Sequence, residues 1–237
     1  MKNFLLLGLF VLMLVISQFA QAQTVDEVIT KYENARGGKD KLNAVKSIYM
    51  EGSRQMMGNE ITVRITKEQN KLSRTEFDMG SGTGYFLLTD KGGWSLIPMR
   101  SPDPTKMPDA SLPALQSELD IAGPLVDYAA KGNKAELQGK EKINDADCFK
   151  IKLTTKAGTE IIYWIDVASN LLVQSSQKSQ GGRGGAEVEV KTTYKDYKDV
   201  DGIKFAHTID VTGGFGGSTT FDKMELNKAV DPKLYKP

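Results

Sequence analysis

Hydrophobic and polar residues alternate with a period of two over most of the chain after residue 46. The apolar members of these runs include Ile61, Val63 and Ile65, Trp94 and Leu96, Phe149, Ile151 and Leu153, and Ile203, Phe205, Ile209 and Val211. Successive side chains of a strand point to opposite faces, so the pattern is typical of strands with one buried face. Turn-forming pairs such as Ala157-Gly158 and Asp201-Gly202 separate the runs. The sequence therefore predicts a mainly β protein with about ten or eleven antiparallel strands joined as hairpins.

A helical pattern precedes the strands. Thr24 and Glu27 have the spacing of a capping box, in which each side chain accepts a hydrogen bond from the other residue's backbone N–H. The apolar residues that follow fall on one helical face and are Val25, Val28, Ile29 and Tyr32. A helix is therefore predicted from Val25, with a second short helical segment at 39–45.

Gly37 and Gly38 lie between these two segments and are flanked by Arg36 and Lys39. A phosphate-binding loop requires glycines after a strand and before a helix, where free N–H groups point at the anion. Here the glycines follow a helix, and glycine is the preferred residue in the left-handed conformation that ends one. A helix end is the favoured interpretation.

A proline-rich segment at 98–132 interrupts the strands near the middle of the chain. Ser111 is predicted to cap a short helix with Pro113 in its first turn, and residues 124–128 are expected to form a further helical turn. Leu112, Leu115 and Leu119 would share one face of the first helix. Two interpretations stay open, a helix that closes the core and a mobile lid.

The N-terminus has the pattern of a secretory signal peptide. Lys2 precedes an apolar run at 4–16, and Ala20-Gln21-Ala22 has the small-x-small form of a cleavage site. Cleavage would leave Gln23 as the first residue. The expected division is a signal peptide at 1–22 and a single domain at 23–237. The mature protein is expected in the periplasm, and it is not expected to carry a lipid-modified cysteine.

The net charge limits which partners the protein can bind, and the cysteine content limits how its fold can be stabilised. The chain has 31 basic and 30 acidic residues, and loss of Lys2 with the signal peptide would make the two equal. A neutral protein lacks the basic excess that nucleic acids or anionic membranes select, so no nucleic-acid partner is expected. Cys148 is the only cysteine, so the fold must be stable without an internal disulfide.

Catalytic and metal-binding motifs are missing from the sequence. His207 is the only histidine, and no G-x-S-x-G, H-E-x-x-H or cysteine pair occurs. Asp199, Asp201 and Gly202 imitate part of a calcium loop, but Thr208 stands where the bidentate glutamate is required. The glycines at 181–185 are expected in a hairpin loop. No catalytic residue, metal or cofactor is predicted, and the expectation is that the protein is not an enzyme.

Four stretches together resemble the outer-membrane lipoprotein carrier family, the LolA/LolB-like proteins, in the long version found in Bacteroidota. They are VDEVITKYENARGGKDKLNAVKSIYMEG at 25–52, TDKGGWSLIPM at 89–99, AGPLVDYAAKGNKAELQGKEKINDADCFKIKLTTKAGTEIIYWID at 122–166 and YKDYKDVDGIKFAHTI at 194–209. Related chains often have Phe-Pro where this one has Phe205-Ala206.

The resemblance implies a curved antiparallel sheet, an incomplete β-barrel whose apolar concave face is covered by helices. Such a half-barrel would bind acyl chains of lipoproteins or other lipids and carry them to the outer membrane. A monomer is expected, with transfer partners in the inner and outer membranes. The candidate lining residues, each of which could equally be ordinary core, are Ile61, Val63, Ile65, Leu72, Phe86, Leu88, Trp94, Leu96, Phe149, Ile151 and Trp164, with Leu112, Leu115 and Leu119 from the lid.

Two other functions stay open. The same fold is shared by sensors of envelope stress, which bind a lipid or protein and relay that to a partner. An enzyme is the third alternative, and it would require polar groups that converge inside the cavity. The sequence alone identifies no such group.

Overall fold

The computed structural model describes residues 23–56, 58–80, 82–180, 186–213 and 216–237. Within them thirteen strands form one sheet, more than the ten or eleven predicted. The strands are β1 (Ser47–Met56), β2 (Asn59–Glu68), β3 (Leu72–Asp78), β4 (Thr83–Thr89), β5 (Gly92–Leu96), β6 (Thr105–Lys106), β7 (Lys134–Ile143), β8 (Ala146–Thr154), β9 (Glu160–Asp166), β10 (Leu172–Gln180), β11 (Glu187–Val200), β12 (Ile203–Thr212) and β13 (Gly217–Leu226). The predicted signal peptide and the loop at 181–185 lie outside the described residues.

The sheet is antiparallel, curved and open. Its strand order is β6-β5-β4-β3-β2-β1-β13-β12-β11-β10-β9-β8-β7, so β13 pairs with β1 and the sheet has edges at β6 and β7. All other neighbours are consecutive in sequence, and several of them are joined by short turns. The turn at Asp201-Gly202, for example, has positive φ at both residues, 54° and 80°, as two-residue hairpin turns require. The predicted incomplete β-barrel is confirmed.

Helix α1 (Val25–Arg36) begins with the predicted capping box. The backbone N–H of Glu27 donates to Thr24 Oγ1 over 3.2 Å, and the N–H of Thr24 donates to Glu27 Oε2 over 3.1 Å. Val28, Ile29 and Tyr32 are buried against the sheet, which confirms the predicted apolar face.

Gly37 ends α1 with a φ of +124°, so the helix-end interpretation of the glycine pair is confirmed. A second reason for glycine is space, because a Cβ at Gly37 would lie 2.3 Å from the carbonyl oxygen of Gly202. The short helix α2 (Lys39–Ala44) follows. Gly37 therefore lets the end of α1 lie against the turn between β11 and β12.

The inserted segment between β5 and β7 contains little regular structure. Beyond β6 it forms a 3-10 turn (Asp109–Ser111), the four-residue helix α3 (Leu112–Leu115) and another 3-10 turn (Gln116–Leu119). Ser111 is the N-cap residue of α3 and Pro113 lies in its first turn, as predicted. The Ser111 hydroxyl makes no capping bond, because it donates to the carbonyl oxygen of Pro108 over 2.7 Å. Residues 124–128 form hydrogen-bonded turns in place of the expected helical turn.

Apolar residues pack on both faces of the sheet. We define the inner face as the one covered by α1 and the inserted segment. It carries the larger buried cluster, which includes Val28, Leu125, Ile151, Tyr163 and Ile203. The opposite, outer face carries a smaller cluster of Leu72, Tyr85 and Leu87, against which Val230, Leu234 and Tyr235 of the C-terminal segment pack.

Candidate functional site

A cavity of about 310 Å³ lies between the inner face and the inserted segment. Residues 117, 118 and 120–125 form its roof. Lys67 of β2 and Tyr32 and Arg36 of α1 reach it from the sides. Its floor comes from β9 to β12 and consists of Ile161, Tyr163, Leu172, Ser175, Gln177, Val190, Thr192, Tyr194 and Ile209.

Strand register explains why polar and apolar floor residues are mixed. Tyr163 pairs with Ser175 and Ser175 pairs with Thr192, so these three residues form one row across β9, β10 and β11. Ile161 and Val190 flank Gln177 in the next row. Residues opposite one another in an antiparallel sheet share a face. Hydroxyl groups therefore lie beside aliphatic side chains on the cavity floor.

Arg36 is the buried cation of the cavity, with 9% of its surface exposed. Its Nη1 atom donates to the hydroxyl of Tyr32 and to the carbonyl oxygen of Ala122, each over 3.0 Å. Its Nε atom donates to the carbonyl oxygen of Lys204 over 3.5 Å. The guanidinium group thus joins α1, the roof and β12.

No carboxylate among the described residues forms an ion pair with Arg36. The guanidinium carbon instead lies 5.6 Å from the ring centres of Tyr32 and of Phe205. Such cation–π contacts offset only part of the cost of burying a charge. The charge of Arg36 therefore has no counterion among the described residues.

Buried tyrosine hydroxyls also reach the cavity. The hydroxyl of Tyr194 lies 3.1 Å from Ser175 Oγ, and burial raises the pKa of Tyr194 to about 12. Tyr163 is 7% exposed, and its hydroxyl makes no hydrogen bond with any described residue. Burial raises the pKa of Tyr163 well above its ordinary value. Both hydroxyls therefore stay protonated at neutral pH and can donate.

Side chains of the sheet hold the roof in place. Lys67 Nζ donates to the carbonyl oxygen of Glu118 over 3.0 Å. Gln69, in the turn between β2 and β3, donates to Asp120 Oδ1 over 3.0 Å and accepts from the N–H of Ile121 over 2.7 Å. The N–H of Asn70 donates to the carbonyl oxygen of Leu119 over 2.9 Å. These contacts fix the roof above the edge of the cavity.

Helix α1 holds the other side of the inserted segment. Glu33 Oε1 accepts a hydrogen bond of 2.7 Å from the N–H of Asp127, which has a positive φ of 51°. The hydroxyl of Tyr128 donates to Asp26 Oδ1 over 2.6 Å. The roof is thus attached to α1 and to the sheet mostly by side-chain contacts.

The structure divides the eleven predicted lining residues of the strands between the two faces. Ile61, Val63, Ile65, Phe86 and Leu88 lie on the inner face at β2 and β4, and Phe149 and Ile151 belong to the inner cluster at β8. Leu72, Trp94 and Leu96 lie on the outer face at the smaller cluster. Trp164 is also on the outer face, where its Nε1 atom donates to Glu141 over 3.2 Å.

The three predicted lid residues lie in α3 and in the 3-10 turn that follows it. A Cβ on Gly93 would lie 3.1 Å from Cδ2 of Leu112, so Leu112 occupies space that the missing side chain leaves free. Leu119 is buried and Leu115 is half-buried. None of the fourteen predicted residues is among those that line the cavity.

Sequence reasoning missed the polar lining residues. Arg36 follows Tyr32 by four positions, a spacing that places both on the buried face of α1. That signal was available in the sequence. Tyr163, Ser175 and Thr192 gave no comparable signal, because only the register between strands brings them together.

Two further depressions lie elsewhere on the surface. One, of about 400 Å³, is on the outer face between Tyr49, Glu76 and the C-terminal residues Val230 and Leu234. The other, of about 410 Å³, lies outside the roof, between Gln116 and the loop after β8. Both are lined mainly by charged or polar side chains, and neither shares the buried cation of the inner cavity.

The part of the chain that the structure describes contains no candidate metal site and no candidate membrane-spanning helix. No cluster there of three or more histidine, cysteine or carboxylate side chains could bind a metal ion. No helix among these residues has the length and apolar character needed to cross a membrane. His207 is buried in β12, with Nδ1 2.9 Å from the carbonyl oxygen of Phe221.

Among the solved structures that share the fold are three bacterial proteins. A LolA superfamily protein from Nitrosomonas europaea has 12% sequence identity and a TM-score of 0.56, over 91% of this chain and 99% of that one. A DUF1329 family protein from Desulfovibrio piger has 13% identity and a TM-score of 0.60, over 91% and 98%. A domain from Vibrio parahaemolyticus, described as an outer membrane lipoprotein-sorting protein, has 17% identity and a TM-score of 0.53, over 88% and 94%.

No protein-family model matches the sequence, and no curated protein matches it. At the identities found, structural similarity establishes the fold. The resemblance drawn from the sequence is confirmed at that level, and the chain has the fold of the LolA superfamily.

Proposed function

We propose that this protein binds acyl chains of lipoproteins or other lipids on the inner face of its sheet and carries them through the periplasm to the outer membrane. The observation that carries the proposal is the roofed cavity on the inner face of an open, LolA-like sheet. The fold relative from Vibrio parahaemolyticus is described as a lipoprotein-sorting protein. The apolar N-terminal run, which predicts export, supports the location.

Burial of apolar surface supplies the binding energy. Each methylene group removed from water contributes about 0.8 kcal/mol. Ile161, Leu172 and Ile209 offer such surface on the cavity floor. Beyond the cavity the inner face continues to Ile61 and Phe86, and Phe86 is 36% exposed. An acyl chain would extend from the cavity toward these side chains.

The roof is built in a way that permits opening. The cavity has a volume of about 310 Å³, which is at the lower end of the range for ligand sites, about 300–1,000 Å³. A cargo with several acyl chains would therefore require the roof to move. The roof contains only short helical turns, and no strand beyond the two-residue β6 lies between β5 and β7. It can separate from the sheet without breaking the long strand ladders.

This function requires no covalent chemistry, so the proposal includes no catalytic residue and no cofactor. Transfer would need a donor at the inner membrane and an acceptor at the outer membrane. We expect the carrier to act as a monomer, since an open inner face has to accept cargo directly.

Native mass spectrometry tests the proposal. The protein would be expressed from its full-length precursor, purified from the periplasm without detergent and extracted with organic solvent. Discrete added masses that extract as lipid or acylated peptide are the expected result. A bare protein mass, unchanged after incubation with lipid or a triacylated peptide, would overturn the carrier function and favour the envelope sensor.

A further inference from the structure

We infer that the cavity binds the carboxylate group of a long-chain fatty acid, with Arg36 as its cation and Tyr163 as a hydroxyl donor. The inference rests on the proposed function, because it names the class of lipid that the same cavity accepts. Four observations on the cavity carry it: unused donors, an unpaired charge, an unpartnered hydroxyl and an apolar continuation.

Unused hydrogen-bond donors remain on the Arg36 side chain. A guanidinium group has five N–H donors. Nη1 uses its two on Tyr32 and Ala122, and Nε uses its one on Lys204. The two N–H groups of Nη2 have no partner among the described residues. Because the side chain is buried beside the cavity, these donors are available to a ligand in it.

The other charged groups of the cavity are already compensated. Glu118 lies 3.5 Å from Lys67 Nζ, and Asp120 lies 2.6 Å from Lys131 Nζ. Arg36 has no such partner within the described chain. A buried cation without an anion is costly, and an anionic ligand would remove that cost.

Tyr163 supplies an independent observation. Its hydroxyl is on the cavity floor, in a residue that is more than nine-tenths buried, and it has no hydrogen-bond partner among the described residues. Unlike the fully enclosed hydroxyl oxygen of Tyr85, that of Tyr163 keeps some accessible surface, so it is open to the cavity. The neighbouring Tyr194 hydroxyl, by contrast, is paired with Ser175. The unpartnered donor of Tyr163 is therefore suited to a ligand oxygen.

Charge balance favours a carboxylate over a phosphate. A carboxylate has one negative charge, which Arg36 alone can neutralise. A phosphate monoester carries up to about two at neutral pH. The second charge would have no cation of its own, and the carboxylates of Glu118 and Asp120 lie in the same roof. The cavity therefore matches a monoanionic head group.

The apolar part of the floor gives the ligand its direction. Ile161, Leu172 and Ile209 line the same cavity as the polar row of Tyr163, Ser175 and Thr192. A fatty acid could place its head group at the polar row and its chain against the aliphatic side chains. An amphiphile of this kind fits both parts of the lining.

Equilibrium binding of three chemically matched probes tests the inference. Dodecanoate, dodecanol and dodecyl phosphate share one chain and differ only in the head group. Below their micellar concentrations, each would compete with a fluorescent fatty-acid analogue for the wild-type protein. We expect dodecanoate to bind at least roughly tenfold more tightly than the other two, the range that a charged hydrogen bond contributes.

Two variants, each with a matched control, test whether Arg36 and Tyr163 cause the preference for dodecanoate. Arg36→Met should weaken dodecanoate roughly tenfold or more and leave dodecanol nearly unchanged. Tyr163→Phe should weaken dodecanoate several-fold and keep the fold. Arg100→Met changes an exposed arginine, and Tyr85→Phe removes an enclosed, unpartnered hydroxyl from the outer face. Both controls should bind dodecanoate like the wild type.

The outcomes separate this inference from the proposed function. Equal affinity for dodecanoate and dodecanol, or a preference for dodecyl phosphate, would overturn the carboxylate assignment while lipid binding stands. An unaltered preference for dodecanoate in Tyr163→Phe would also overturn it, even if Arg36→Met failed to fold. If no probe and no acylated peptide binds, the carrier function itself fails, and this inference fails with it.

Discussion

Lys131 Nζ lies 2.6 Å from Asp120 Oδ2, and this ion pair connects the roof of the cavity to the segment that leads into β7. The Asp120 side chain is only 11% exposed and also accepts a hydrogen bond from Gln69. Lys131 donates a second hydrogen bond to the carbonyl oxygen of Gly123 over 2.9 Å. Lys131 thus contacts the roof at two places, Asp120 and Gly123.

Lys131→Met should loosen the roof. Removal of the cation leaves the mostly buried carboxylate of Asp120 without its partner, which costs about 1–3 kcal/mol. We expect backbone hydrogen exchange at 117–125 to become faster, with exchange in β8 and β9 unchanged. In the matched control Lys142→Met, which breaks the exposed pair with Asp147, the free energy of unfolding should change by less than about 1 kcal/mol. Unchanged exchange in the roof of Lys131→Met would contradict this role.

Thr24→Ala should destabilise the first helix. The substitution removes one half of the capping box, and such losses cost about 1 kcal/mol. Thr30→Ala is the matched control, since Thr30 is exposed within α1 and alanine favours a helix. Urea denaturation should therefore show a lower unfolding free energy for Thr24→Ala and no loss for Thr30→Ala. Equal effects in both would show that the cap contributes nothing.

Gly37→Ala and Gly38→Ala should differ although the residues are adjacent. Both have positive φ, +124° and +98°, which costs a residue with a side chain about 1 kcal/mol or more. At Gly37 the added Cβ would also lie 2.3 Å from the carbonyl oxygen of Gly202, whereas at Gly38 it would meet open space. Thermal denaturation should show Gly37→Ala as clearly the less stable variant. A larger loss for Gly38→Ala would contradict the packing of α1 on the turn after β11.

Alkaline pH should destabilise the inner face. Burial raises the folded pKa of Tyr194 from 10.0 to about 12, so the folded protein holds this proton more tightly than the unfolded chain. The resulting stability is complete below pH 10 and is lost as the pH rises toward 12. Phenolate absorbance and circular dichroism, recorded together, should show that Tyr194→Phe loses less stability across this range than the wild type. An equal loss in both proteins would contradict the assignment.

The elements near the N-terminus were predictable because their signals are local. Thr24 and Glu27 form the capping box three residues apart, and Gly37 ends the helix through its own backbone conformation. The alternation around Val63 and Ile151 identified strands for the same reason. Hairpin connections then determined most of the sheet order, since consecutive antiparallel strands usually pair.

The face assignments were not predictable, because they depend on distant parts of the chain. Leu72 and Trp94 lie on the outer face, where Val230 and Leu234 of the distant C-terminal segment pack against the same cluster. In β9, Ile161 and Tyr163 face inward while Trp164 faces outward. Because both faces of this strand are apolar, its sequence does not show which face points to the cavity. Polar residues on the cavity floor likewise become a site only through strand pairing.

Photo-crosslinking of a bound acyl chain tests the central claim most directly. The protein would be loaded with a fatty-acyl probe that carries a diazirine near the end of its chain, then irradiated, digested and analysed by peptide mass spectrometry. Crosslinks to the roof at 117–125 and to inward-facing residues such as Ile161 or Ile209 are the predicted result. Crosslinks confined to the outer face around Trp94 or Trp164 would contradict the account.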